Sequence, residues 1–338
     1  MSPPKSILIY VGLDLVGDGL MKLPFVRAVR ATYPDAHITW LAGKGKTVYA
    51  STLAPLVKGL LDEVIEDAGI GTYWKELLRR PLPGRHFDLI IDTQRRVLTS
   101  LILKRISHGR FISGAASYGL SNGRPAKGVG KPPLMIHQML QLLEVAAGEP
   151  PRLEAKLGLD PVMEAEAERL VPAGPVYVGL APGAGGKHKC WPLERYLALG
   201  QQQIKAGRVP VVFLGPDEQD WQDAVRAALP TVVLPLQKGS SPLLTIAIAR
   251  RLHAVVANDA GPGHMMAAAE VPMISLWGPT DPSKATPITP YLTLIHANHF
   301  GGAAMTDIPQ EAVSNAVDWA LEHGKNAPYQ NMYWRPRD

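Results

Sequence analysis

The feature that most constrains this chain of 338 residues is a rhythm that runs through it twice. In the first half, apolar runs of strand length (SILIYVGL, HITWLA, FDLIIDT, RFISGA) alternate with longer segments of helical spacing such as GLMKLPFVRAVRATYP and LMIHQMLQLLEVAAG. The second half repeats it with PVYVGLAPG, RVPVVFLGP, TVVLPL, HAVVAND and VPMISLWGP, separated by LERYLALGQQQIKAG, EQDWQDAVRAALP and SPLLTIAIARRL. Strand and helix alternating in this way predict an α/β protein of two Rossmann-like, doubly wound parallel sheets with helices on both faces of each. The join is expected in the Pro- and acid-rich stretch from Gly148 to Pro175, which carries one short helix, VMEAEAERLV. This puts the domains at 1–160 and 161–338, with a carboxyl-terminal tail expected to pack back on the first.

Composition narrows the class further. With 46% hydrophobic and 19% charged residues the chain reads as soluble and globular, not disordered or fibrous. The opening MSPPKSILIYVGLDLVGDG has no basic leader followed by a long apolar core, so no export signal is expected. No run approaches the length needed to span a bilayer. The single Cys190 rules out an internal disulfide framework and fits a reducing cytoplasm. Residues 1–150 hold 19 Lys and Arg against 12 Asp and Glu, the remainder 16 against 18. A basic first half suits an anionic partner (phosphorylated lipid, membrane surface or nucleic acid) as well as it suits a merely solvated surface.

Ligands of open parallel sheets bind beyond the carboxyl ends of the strands, so the loops after the apolar runs matter most. Three stand out. In VGLDLVGDGLMKLP the glycines 12, 17 and 19 lack dinucleotide-fingerprint spacing, and Asp18 stands where a phosphate loop needs Lys. What remains is an acid on a Gly-flanked turn before a helix, open to two readings, a helix N-cap or a general base. In APGAGGKHKCWPLERY, glycines and the cations Lys187, His188 and Lys189 precede a helix opened by Trp191-Pro192, which makes an anion site. The Walker pattern fails there too, because Ala181 occupies its first glycine position and His188 follows Lys187. In NDAGPGHMMAAAEVPMISLWGPTDP a strand ends at Asp259, and a helix then begins with residues small enough for a ligand to reach the backbone. Bare amides and the positive end of the helix dipole favour a diphosphate there, with Thr280 and Asp281 nearby, and His264 reads either as a donor to a phosphate oxygen or as a packed or capping histidine.

The pieces GDGLMKLP, PGAGGKHKCWPLERY, NDAGPGHMMAAAEVP, WGPTDP and MTDIPQEAV occur, in this order, in a pattern that resembles glycosyltransferase family 9, the ADP-heptose:lipopolysaccharide heptosyltransferases. The resemblance covers roughly residues 6–322. It implies a GT-B architecture with the two domains facing a central cleft, acceptor bound by the first and nucleotide sugar by the second. It also implies an inverting, metal-independent transfer without cofactor, and the chain has no D-x-D pair to hold a divalent cation. Carried over, Asp18 matches the proposed catalytic base and Lys189 the lysine that neutralises the leaving diphosphate. Asp259 and His264 match the Asp and His of the donor-binding helix start, with Gly261 and Gly263 supplying amides. Glu218 in LGPDEQDW matches an acid that binds the donor ribose, and Lys187 and Thr280 fall beside the donor. Lys104, Arg105 and Arg110 are the cations singled out for the acceptor.

The implied partners are ADP-heptose and an anionic lipid-linked saccharide, not nucleic acid. The implied place is the cytoplasm, in peripheral contact with the inner face of the inner membrane. The chain departs from the pattern at Ala260, where many relatives carry Ser or Thr, and in FGGAAMTD, which lacks their cysteines. Two other readings stay open, a transferase using a UDP- or GDP-linked sugar for another surface glycan, and a relative that binds nucleotide sugar or lipopolysaccharide without turnover.

Overall fold

The computed structural model describes residues 2–71, 73–151, 157–237, 240–287, 289–326 and 332–333. The chain divides into two compact units, Met1–Gly158 and Leu159–Asp338. Part of the expected join, residues 152–156, lies outside the described residues.

The first unit is built on five strands: β1 (Ser6–Val11), β2 (His37–Ala42), β3 (Glu63–Ile65), β4 (His86–Asp92) and β5 (Ser107–Ser113). They lie in the order β3-β2-β1-β4-β5, all parallel, with Ser6 to Val11 in register against His37 to Ala42. Ile7 through Val11 are essentially sealed from solvent, which is why these runs are apolar at every position. Leu8 and Tyr10 pack with Ile90, Phe111 and the helix residues Ile102 and Leu103. The helices Val16–Thr32 and Met135–Ala147 pack on each other. Strand order reverses between β1 and β4, and this opens a ligand-sized crevice at their carboxyl ends in sheets of this kind.

The second unit carries β6 (Tyr177–Ala181), β7 (Val209–Val212), β8 (Ala254–Asn258), β9 (Met273–Trp277), β10 (Leu292–His296) and β11 (Met332–Tyr333). Their order is β11-β10-β9-β8-β6-β7, again parallel, with the reversal between β6 and β8. The core sets Val178, Leu180, Val256 and Ile274 against Trp191 and Tyr196, and against Val313 and Val317 of the helix Gln310–His323. Of the tail expected to reach the first domain, Met332–Tyr333 extend this sheet beside β10, and residues 327–331 and 334–338 lie outside the described residues.

The short helix expected in the join is Pro161–Leu170, opened by Pro161 and by Asp160, whose Oδ1 accepts the Val162 N–H at 2.9 Å. The run TVVLPL forms no strand; Val233 makes only an isolated bridge to Val211. Pro230 precedes it and Pro235 lies within it, and a proline cannot donate to a ladder.

Candidate functional site

Asp18 does not sit on a turn ahead of its helix but on the first helical turn, at the third position of Val16–Thr32. There its Oδ2 accepts the Leu15 N–H at 3.3 Å, so it partly satisfies the helix start while remaining half-exposed. Gly19 is small for packing: a Cβ there would lie 2.6 Å from Val48 Cγ2, and its carbonyl accepts the Tyr49 hydroxyl at 2.6 Å. Beneath this turn lies a charge network that the sequence did not announce. Asp14 is 2% exposed and forms an ion pair with buried Lys22, one turn beyond Asp18. Its Oδ2 also accepts from Trp40 Nε1 at 3.0 Å and Thr47 Oγ1 at 2.9 Å. A carboxylate and an ammonium withdrawn from water persist only when so completely partnered, and the result pins the β1 turn to β2 and to its own helix.

The end of β4 is organised by another buried acid. Asp92 accepts from the Gln94 N–H and from the hydroxyls of Ser100 and Ser113, and burial raises its carboxyl above the usual range. Next to it the backbone is strained. Arg95 has φ +52°, and Ala116, Ser117 and Tyr118 have φ +48°, +52° and +69°. Such dihedrals are costly for residues with a Cβ and gather at functional sites. Arg95 stacks over the Tyr118 ring at 5.7 Å, and Gly114 leaves room beneath it, since a Cβ there would fall 2.7 Å from the guanidinium carbon and displace the side chain. The three cations singled out for the acceptor stand elsewhere. Lys104 and Arg105 precede β5 at its amino end, and Arg110 pairs with Leu89 within the sheet. Each donates to a main-chain carbonyl: Lys104 to Leu120, Arg105 to Arg79, Arg110 to Ala146.

In the second unit, the loops after β6 and β8 meet through Asn258, a buried residue absent from the sequence expectations. Its Oδ1 accepts from the Trp191 N–H and the Tyr196 hydroxyl, both at 3.1 Å, and its Nδ2 donates to the Pro182 carbonyl at 2.8 Å. A lone amide closing an apolar strand was its only signal. So tethered, the turn Lys187–Lys189 brings Lys189 Nζ to 3.6 Å from Asp259 Oδ2, which also accepts the Thr280 hydroxyl at 2.7 Å. Lys189, Asp259 and Thr280 therefore form one cluster, whereas Lys187 and His188 of the same turn are exposed.

Beside the cluster starts the helix Gly261–Ala268, whose N-cap Ala260 is extended and supplies no side-chain acceptor to the first amides. His264 lies half-buried on its first turn. Gly261 faces open space, whereas a Cβ at Gly263 would press to 3.0 Å on the Asn258 carbonyl. The other face of this helix start, at Pro262 and Met265, lines a cavity of about 340 Å³ that also takes in Gly183, Phe213, Thr245 and Glu218. Glu218 is 8% exposed; its Oε2 accepts the Gly215 N–H at 3.0 Å, and burial pushes its carboxyl above the ordinary glutamate range. Gly183 makes room for it, because a Cβ there would meet that carboxyl at 2.5 Å and push it aside. A half-open, largely apolar pocket lined by the acids Asp217 and Glu218, near a lysine and a helix start without a side-chain cap, has the makings of a nucleoside diphosphate site. Among the described residues no group of three or more His, Cys, Asp or Glu is placed to hold a metal ion.

The chain is similar to known proteins over most of its length. The chain is 24% identical over 311 residues to lipooligosaccharide heptosyltransferase 2 of Haemophilus influenzae, covering 85% of this chain and 88% of that one. It is 24% identical over 300 residues to lipopolysaccharide heptosyltransferase 2 of Escherichia coli, covering 83% and 85%. Among solved structures, the glycosyl transferase family 9 protein of Veillonella parvula superposes with a TM-score of 0.70 at 18% identity over 95% of this chain and 98% of that one. E. coli ADP-heptose LPS heptosyltransferase II gives 0.64 at 21% identity over 95% and 100%. These likenesses establish the two-sheet fold as that of the GT-B glycosyltransferases. The model of glycosyltransferase family 9 (heptosyltransferase) matches residues 76–311, and the chain, a glycosyltransferase, belongs to that family.

Proposed function

We propose that this protein transfers heptose from ADP-heptose to the inner core of lipopolysaccharide, with inversion and without a metal ion. The observation that carries the reading is the cluster of Lys189, Asp259 and Thr280 at the uncapped start of the helix Gly261–Ala268, next to the cavity lined by Glu218. The adenosine would occupy that cavity, with the Glu218 carboxylate accepting from ribose hydroxyls. The diphosphate would lie against the amides of Gly261 and Gly263, with Lys189, Lys187 and the His264 ring as cationic or donor groups and Thr280 alongside.

In the reaction, an acceptor hydroxyl oxygen bonds to the anomeric carbon as the bond from that carbon to the diphosphate oxygen breaks. The hydroxyl proton passes to the Asp18 carboxylate, and the electron pair leaves with ADP. Charge developing on the departing diphosphate is met by Lys189 and the fixed amides, which need no reorganisation when it appears. The 3.6 Å separation of Lys189 from Asp259 suits this, being long for a hydrogen bond and so leaving the ammonium available to a phosphate.

The test is ADP release from ADP-heptose with and without Kdo-bearing lipid A, either bare or already carrying one heptose, for the native protein and Asp18→Asn. Acceptor-dependent release should slow by about 10²–10⁴-fold in the variant, the range of a lost general base, with donor affinity unchanged. Unaltered turnover would remove Asp18 from the reaction. Failure of the native protein to bind ADP-heptose would move the reading to another nucleotide sugar, and tight binding without release to a relative that does not turn over.

A further inference from the structure

The segment leading from β3 to β4 leaves its large apolar side chains in water. Tyr73 is 68% exposed, Trp74 63% and Leu78 75%, all within six residues. Single exposed leucines are ordinary, but a Trp, a Tyr and a Leu together on one short turn are not. The neighbouring helix Val97–Leu103 packs beside that turn and presents the same character outward. Its Val97 and Leu101, one turn apart, are 48% and 39% exposed, while Thr99 and Ser100 point inward, Ser100 onto buried Asp92. Ile102 and Leu103 fill the core beside Thr99 and Ser100, so this helix is apolar on its outer face as well, where a helix that meets only water carries polar side chains.

The charges around these side chains are of one sign. Lys75, Arg79 and Arg80 are exposed on the same segment, and Arg105, also exposed, donates from Nε to the Arg79 carbonyl at 3.1 Å, tying the end of the helix to it. Between Tyr73 and Arg80 the one acid, Glu76, is turned onto the backbone, where it accepts the N–H groups of Gly71 and Tyr73; Glu66 and Asp67 lie back at the β3 end of the segment. We propose that this face docks the protein on an anionic lipid bilayer. Trp74, Tyr73 and Leu78 enter the headgroup region, where an aromatic ring is well placed, and Lys75, Arg79, Arg80 and Arg105 engage lipid phosphates. The proposal stands apart from the transfer reaction and uses none of its residues.

It is tested with the full-length protein and acceptor-free vesicles of phosphatidylglycerol and phosphatidylcholine, by co-sedimentation over a salt series. Binding should require phosphatidylglycerol and weaken as salt screens the cations. Arg79→Ala with Arg80→Ala should lower the partition coefficient roughly 25-fold, about fivefold per charge removed. Trp74→Ser with Leu78→Ser should lower it at least tenfold and abolish quenching of tryptophan emission by brominated lipid. Because all four side chains are exposed, the unfolding midpoints and ADP release with a water-soluble acceptor fragment should stay as in the native protein, so loss of docking reads separately from loss of transfer. Equal binding to neutral vesicles, no binding at low salt, or binding indifferent to both double variants would overturn the proposal and leave a protein partner as the occupant of this face.

Discussion

Asp14 and Asp259 are acids just past the carboxyl ends of strands at the reversal points of their own sheets, yet they live in opposite conditions. Asp14 follows β1, is 2% exposed, and is fully engaged by Lys22, Trp40 and Thr47. Asp259 follows β8 with a side chain 13% exposed, held by the Thr280 hydroxyl and only loosely by Lys189, itself about a third exposed. The first sheet spends its charge internally, making a rigid base under the Asp18 turn. The second leaves its lysine reachable and builds the rest of the corner from glycines and main-chain amides. One edge is braced by side chains and the other is kept open to a ligand.

The sharpest way to break this contrast is to delete the two acids in turn. Asp14→Ala strands the Lys22 ammonium in the interior and should cost about 3–5 kcal/mol of unfolding free energy, whereas Asp14→Leu combined with Lys22→Met should recover much of that loss. Asp259→Ala breaks a loose, partly buried pair and one hydrogen bond, and should cost only about 1–2 kcal/mol while weakening donor binding more than tenfold. Urea unfolding of each variant, with donor titration by calorimetry, decides it. Equal stability losses at the two sites would end the distinction.

A smaller effect separates the two edges by pH. Burial raises the Glu218 carboxyl, so it protonates at a higher pH than an ordinary glutamate and then no longer offers two acceptor oxygens to a ribose. Donor affinity should therefore fall, by up to about tenfold, as the solution is acidified from neutral, with the fall beginning above the usual glutamate range. Glu218→Gln should flatten that profile. The stability sign is the opposite one. A carboxyl with a raised folded pKa contributes stability below its unfolded pKa, and that contribution is lost as pH rises through the folded value. The glutamine variant should thus be as stable as the native protein at neutral pH, or more so, while binding donor less well. A native affinity profile flat down to the ordinary glutamate range would detach Glu218 from the donor.

The same contrast explains what could be read from the amino acids alone. The second edge was legible because its parts are local: glycines before a Trp-Pro, a strand ending in Asn-Asp, and a helix begun by Gly-Pro-Gly-His. Asn258 escaped because its three bonds reach Pro182, Trp191 and Tyr196, more than sixty positions away, and a lone amide carries no motif. The first edge was half hidden. Asp18 stands in a recognisable GDG, but Asp14 and Lys22 look like surface charges until β2 delivers Trp40 and Thr47 follows it. Lys104, Arg105 and Arg110 drew notice by charge, whereas their positions relative to β5 depended on where the helix Val97–Leu103 ends. The strands missed, β3, β10 and β11, are short or set in Thr- and Pro-rich sequence, and TVVLPL shows the reverse error, an apolar run that joins the ladder only at Val233.

The smallest expected effect isolates the backbone of the first edge. Ala116 has φ +48° and ψ +42° on an exposed turn, so the left-handed geometry there is a local cost unshielded by packing. Ala116→Gly removes that cost and restores part of it as unfolded-chain entropy, and should stabilise by about 0.5–1 kcal/mol. Gly261 is the converse case, a helical glycine that faces open space but directly precedes Pro262, whose ring crowds a Cβ on the residue before it, so Gly261→Ala should lower stability slightly. The two variants differ in what they do to ligands. Added bulk at Gly261 obstructs an approach to bare amides and should weaken donor binding, while Ala116→Gly should leave donor affinity as it was. If Gly261→Ala binds donor normally, the openness of the second edge is incidental. If Ala116→Gly instead destabilises, the left-handed run at 116–118 is held by something other than the turn itself, and the strain beside Arg95 belongs to the wider packing of β4 and β5.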